Sequence, residues 1–126
     1  MDPFIQKVHA DSRGEIYSIT LPDGRELMLH HSVAGALRGG HSHNYDEVVL
    51  LLSGKMRYHR LIGGKDWIGQ EIRAPLSVFN QAEQVHMGEF LEDSWLVEWK
   101  IGVKADEGRT TNYEPYRQLV TESILA

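Results

Sequence analysis

The chain has 126 residues, 41% of them hydrophobic and 25% charged, which is enough for one domain with a real core and excludes a disordered or fibrous chain. Its formal charge of -5, from 18 acidic and 13 basic residues, gives no electrostatic reason to expect a nucleic-acid partner. Cysteine is absent, which removes disulfides and thiolate metal sites and leaves histidine nitrogen and carboxylate oxygen as the donors to follow.

Taken from the start, Met1-Asp2-Pro3-Phe4 shows no basic region followed by an apolar stretch. No later run approaches the roughly 18 apolar residues of a membrane span, so a cytoplasmic protein with no membrane partner is expected. Turn signals then recur at Pro22-Asp23-Gly24, Gly39-Gly40, Ser53-Gly54, Gly63-Gly64-Lys65-Asp66 and Glu92-Asp93, between short apolar segments. That rhythm predicts an all-β sandwich or barrel. Strands are predicted over 15–20, 25–33, 47–52, 55–62, 67–73, 76–79, 86–91 and 95–101. The run Val48-Val49-Leu50-Leu51-Leu52 is apolar on both faces, as expected for a strand sandwiched between two layers. In the tail, Tyr116, Leu119, Val120 and Ile124 recur at helical spacing after Pro115, which predicts a short C-terminal helix packed on the barrel. No repeat or linker divides residues 1–126, so a single domain is expected.

His41 and His43 stand two apart, so on an extended strand both imidazoles leave the same face and can converge on one ion. Glu47 has the same parity just beyond a possible turn at Asn44-Tyr45-Asp46, which makes it a third donor. Two imidazoles and a carboxylate suit a divalent first-row ion: Fe, Mn, Ni, Zn or Co. A fourth protein ligand must come from elsewhere. His86, at the head of the segment leading to Glu92-Asp93, is the best candidate, with His9, His30, His31 and His59 as competitors. Tyr58, Arg60, Glu98 and Trp99 lie on strands expected to border the barrel interior. Glu47, Tyr58 and Glu98 are the candidate catalytic residues.

Gly35, five intervening residues, His41, Ser42, His43, three intervening residues, Glu47, six intervening residues and Gly54 reproduce the first motif of the cupin superfamily. The chain therefore resembles a small metal-binding cupin. The resemblance implies a double-stranded β-helix barrel in which His41, His43 and Glu47 are metal ligands. A second cupin motif supplies a further histidine. Taking His86 for it leaves Pro75, Gln81, Glu83 and Phe90 at the motif's usual Gly, Pro and Asn positions. Registering the motif on Gly69 and Pro75 instead places Asn80 at the ligand position. Arg38-Gly39-Gly40-His41-Ser42-His43 and Asp11-Ser12-Arg13-Gly14 are similar to stretches of cupin sugar-nucleotide isomerases and epimerases, whose chemistry needs no metal.

The leading expectation is a metal-dependent enzyme, of oxygenase, isomerase or lyase type, acting on a small polar organic substrate. A metal-free isomerase or epimerase and a non-enzymatic metal- or ligand-binding module are the alternatives. Exposed sheet edges and the bulk of Trp67, Trp95 and Trp99 point to a homodimer.

Overall fold

The computed structural model describes residues 4–63 and 66–125, with backbone alone for residues 66–68 and 125. The expected Gly64-Lys65 turn and the side chain of Trp67 therefore lie outside the described residues. Eleven strands and one helix are present among those described: β1 (Phe4–Asp11), β2 (Gly14–Thr20), β3 (Glu26–Ser32), β4 (Leu37–His43), β5 (Asp46–Ser53), β6 (Lys55–Ile62), β7 (Asp66–Arg73), β8 (Leu76–Asn80), β9 (His86–Phe90), β10 (Ser94–Ile101), β11 (Thr110–Asn112) and α1 (Glu114–Leu125). They form two antiparallel sheets, β1-β2-β3-β10-β5-β8 and β11-β4-β9-β6-β7.

Alternation along each strand sends one set of side chains between the sheets. Val49 and Leu51 on β5, Val78 on β8 and Leu96 on β10 meet Met56 and Tyr58 on β6 and Phe90 on β9 in one buried core. Gly54 makes the sharp β5–β6 connection at a φ of +94°, and an added Cβ there would lie 2.7 Å from the Asp93 carbonyl oxygen. Only glycine accepts both the torsion and that approach.

The sequence reading locates eight strands and the helix to within a few residues, and the structure adds three more. β1 shows no alternation to read, because its register with β2 slips between Lys7 and His9. β11 is three exposed residues that pair with β4. In β4, Gly39-Gly40 is a bulge inside a strand rather than a turn: both residues have positive φ, and the register with β9 shifts between Gly39 and His41. A Cβ at Gly40 would lie 3.1 Å from side-chain atoms of Tyr116 and Arg117, so the missing side chain lets α1 lie against the strand. Tyr116 and Val120 bury against Met87 there, and Arg117 donates to the Gly39 carbonyl at 2.8 Å.

The run Val48–Leu52 also differs from expectation. Val49 and Leu51 are buried, but Val48 and Leu50 are only half-buried and Leu52 is exposed, so within one chain this strand is covered on one face. Among the described residues, no helix is long and apolar enough to cross a membrane.

Candidate metal centre

The Gly39-Gly40 bulge ends with His41 opposite His86 across the β4–β9 ladder, and His43 follows on the same face of β4. Glu47 enters from the facing sheet, one tight turn later on β5. The ring centroids lie 4.6 Å apart for His41 and His43, 5.0 Å for His41 and His86, and 5.3 Å for His43 and His86. One nitrogen from each ring falls within 4.8 Å of the other two, close enough to share an ion. Glu47 completes the group: Oε2 is 3.5 Å from His43 Nε2 and Oε1 is 3.2 Å from His86 Nε2. The structure thus brings together His41, His43, Glu47 and His86.

Hydrogen bonds behind the rings decide whether these atoms fit a cation. His86 Nδ1 lies 3.0 Å from the Gln84 carbonyl oxygen, which only accepts, so Nδ1 carries the proton. In neutral His86 the Nε2 lone pair then faces a carboxylate oxygen 3.2 Å away, acceptor against acceptor. A cation between them resolves that conflict, and an imidazole held from behind by a carbonyl is the usual support of a metal-binding histidine. His43 Nδ1 is held at 2.9 Å by Thr110 Oγ1 and at 3.1 Å by the Tyr45 hydroxyl, which leaves Nε2 directed at Glu47. The donor set therefore fits a divalent transition ion.

The electrostatics favour the form that binds metal. Burial, reinforced by the neighbouring His86 and His43 rings, pushes the His41 pKa down to about 3, so its imidazole is neutral at ordinary pH. Burial alone would raise the Glu47 carboxyl. The His43 and His86 imidazoles beside it outweigh that and hold it well below the usual carboxylate range.

Asn80, which the alternative register of the second motif places at the ligand position, lies beside the site as a partner of Glu47. Its Nδ2 donates to Glu47 Oε1 at 3.1 Å and to the Tyr58 hydroxyl at 2.6 Å, tying the carboxylate to Tyr58. The two registers of the second motif thus point to neighbouring parts of one site, with His86 in the histidine cluster and Asn80 on Glu47. Tyr58 is buried, its hydroxyl pKa is raised by that burial, and its ring lies 6.1 Å from His86. It orients its neighbours as a neutral phenol.

Glu98 lies on the inner face of β10 and pairs with His30 Nε2 at 2.9 Å. His30 Nδ1 is buried and without a hydrogen-bond partner. Glu98 borders both a cavity of about 610 Å³, which Met28, Tyr45, Glu47, Trp99 and Lys100 also line, and an inner chamber of about 70 Å³ shared with His30, His41, Tyr58 and His86. Arg38 reaches that chamber too, buried and held by Ser32 Oγ at 2.6 Å and the His31 carbonyl at 3.2 Å. Arg60 stands over the Tyr58 ring and donates to the Phe79 carbonyl. Asp11 and Arg13 pair with each other, and Arg13 also holds the Leu37 carbonyl at the start of β4. The remaining histidines lie apart from the cluster, His9 with Asp11, His31 with Glu15 and His59 beside Glu89.

No family model matches the chain, and no curated protein matches it by sequence. Solved structures do. The capsular polysaccharide assembling protein CapF of Staphylococcus aureus superposes with a TM-score of 0.71 at 20% identity, over 86% of this chain and 34% of CapF. Oxalate decarboxylase of Bacillus subtilis, in a structure described for its Mn(II) centres, superposes with a TM-score of 0.70 at 16% identity, over 87% of this chain and 32% of that one. The chain spans about a third of the length of these structures. Both neighbours are cupin-fold proteins, and two facing antiparallel sheets with a histidine cluster between them match that architecture. The chain has the cupin fold.

Proposed function

We propose that the chain binds one divalent transition metal ion through His41, His43, Glu47 and His86 and acts as a metal-dependent enzyme on a small polar organic molecule. The observation that carries this reading is the convergence of three imidazoles, His41, His43 and His86, with the Glu47 carboxylate, whose Oε1 lies 3.2 Å from His86 Nε2. The Mn(II) centres of the oxalate decarboxylase neighbour support a divalent ion and leave its identity open.

A bound divalent ion supplies Lewis acidity toward a substrate oxygen. The chain's own residues provide the rest. A cavity of about 610 Å³ admits a molecule larger than a two-carbon acid and leads to Glu47 and Glu98. Glu98 is free of the histidine cluster and is the carboxylate placed to take or return a proton, with His30 behind it fixing its orientation. Tyr58 and Asn80 hold Glu47 in place. These features support an enzyme over a storage module, because a module that only holds metal needs neither the cavity nor the second carboxylate.

Replacing Glu47 by Gln preserves the shape of the side chain and discards the negative charge of the donor set. Calorimetric titration with Mn²⁺ or Zn²⁺ is expected to show affinity at least ~10-fold weaker, by comparison with what even outer groups of metal sites contribute. Equal affinity in variant and parent would remove Glu47 from the ligand set.

A further inference from the structure

One proton beside Glu47 has no acceptor in the protein. Asn80 Nδ2 stands 3.1 Å from Glu47 Oε1 and 2.6 Å from the Tyr58 hydroxyl. The carboxylate fixes which way this amide points, because the reverse orientation would set Asn80 Oδ1 against it, acceptor against acceptor. Nδ2 therefore donates to both oxygens, and the Tyr58 hydroxyl accepts. A phenol oxygen that accepts still carries its own hydrogen, and among the described residues Asn80 is the hydroxyl's one hydrogen-bond partner. Tyr58 is only 5% exposed, and a donor buried to that degree is nearly always satisfied. The proton is not simply lost, since burial raises the hydroxyl pKa above the usual phenol value. Tyr58 lines the inner chamber of about 70 Å³ with His41, His86 and Glu98, so the acceptor is whatever enters that chamber. The ring is set in advance: it lies nearly parallel to His86, at 14°, and Arg60 stands 5.4 Å from its centroid.

We infer that Tyr58 is a catalytic residue whose hydroxyl donates a hydrogen bond to a substrate oxygen in the inner chamber, one that carries negative charge or gains it during the reaction. The inference deepens the metal-dependent reading above and rests on it. A carbonyl or carboxylate oxygen answers this donor without bringing a hydrogen of its own to be placed. Size agrees with that class. The chamber offers the space of about two waters at roughly 30 Å³ each, which suits a carboxyl or acyl end and little more. The rest of the molecule extends into the cavity of about 610 Å³, which Glu98 also borders. Tyr58 keeps its proton throughout, so no bond in the side chain breaks. Its part is to present a fixed donor, in a site closed to bulk water, where charge develops on the substrate. Asn80 makes this possible by filling the acceptor side of the hydroxyl, which directs the hydrogen away from Glu47.

The test uses acetate as the probe and protein loaded with Co²⁺, whose visible absorption reports a ligand arriving at the ion. Tyr58→Phe removes the hydroxyl and keeps the ring. The variant is expected to bind Co²⁺ as the parent does, because Asn80 donates to Glu47 directly. Its acetate affinity is expected to fall about 10-fold or more, the loss of one hydrogen bond to a charged oxygen. Circular dichroism accompanies each titration. Equal acetate affinity in the parent and a folded, Co²⁺-loaded Tyr58→Phe protein would overturn the inference and leave the metal site standing. So would a variant that folds but no longer binds Co²⁺, since Tyr58 would then serve the ligands rather than the substrate, and so would acetate that leaves the parent's absorption unchanged. A parent that binds no Co²⁺ would overturn the metal reading, and this inference with it. A crystal structure of the parent with Co²⁺ and acetate decides independently of how the variant folds. An acetate oxygen about 2.5 to 3.0 Å from the Tyr58 hydroxyl is expected, and acetate seated away from it would overturn the inference.

Discussion

Replacing His86 by Ala is expected to remove most of the rise in melting temperature that Mn²⁺, Co²⁺, Ni²⁺ or Zn²⁺ gives the parent protein. An ion that binds only the folded state, at about 100 times its dissociation constant, adds roughly 2.7 kcal/mol, on the order of 10 °C for a domain of this size. His86 Nε2 stands 3.2 Å from Glu47, with its other nitrogen fixed on the Gln84 carbonyl. Its loss leaves two imidazoles and a carboxylate. An affinity weakened 100-fold leaves only about 0.4 kcal/mol at the same metal concentration, one or two degrees. Alanine at His9, His30, His31 or His59 is expected to keep nearly the full shift, each variant measured against its own metal-free form, because those rings engage Asp11, Glu98, Glu15 and Glu89 instead. A His86→Ala protein that responds to metal like the parent would take His86 out of the site.

The second large effect is on the metal-free protein under acid. His41 takes up a proton near pH 6.5 when unfolded but only near pH 3 when folded, because burial opposes its charge. Between those limits the unfolded state binds more protons, so stability is complete above about pH 7 and falls with acidification, by up to about 1.4 kcal/mol per pH unit for this one group. Glu47 acts in the same direction at lower pH. Its folded pKa is depressed, so its contribution is present above about pH 4.5 and is lost below it. Urea unfolding in the presence of chelator is expected to show a falling midpoint from pH 6.5 downward, steepening below pH 4.5. His41→Gln is expected to flatten the upper part of that fall. A midpoint constant from pH 7 to 5 would show that His41 is not held neutral. Protons also compete with metal for the imidazoles, so the metal-induced rise fades over the same acid range.

How much of this was legible in the sequence depends on how local each signal is. Turn residues and alternation place β2, β3, β5 to β10 and α1 because those signals act within a few residues of themselves. β11 has no such signal, yet it delivers Thr110 to the back of His43, a partner 67 residues away in sequence. Gly39-Gly40 carries a clear signal with two meanings, turn or bulge, and only the packing of Tyr116 and Arg117 on Gly40 separates them. His41, His43 and Glu47 are legible as a group because the parity of a strand and one turn fix their common side. His86 was legible only as the best unattached histidine. Its pairing with His41 across β4 and β9 is a matter of register, which a single sequence does not display. Asn80 and His30 act through contacts between distant strands, so their roles appear only in three dimensions.

The most direct test of the account is an anomalous difference map from crystals of the chain grown with Mn²⁺, Co²⁺ or Zn²⁺ and measured at the absorption edge of the added metal. The account predicts one strong peak per chain between β4, β9 and β5, about 2.0 to 2.3 Å from nitrogens of His41, His43 and His86 and an oxygen of Glu47. A map with no peak there, or a peak held by other residues while His86 Nε2 still faces Glu47, would contradict it.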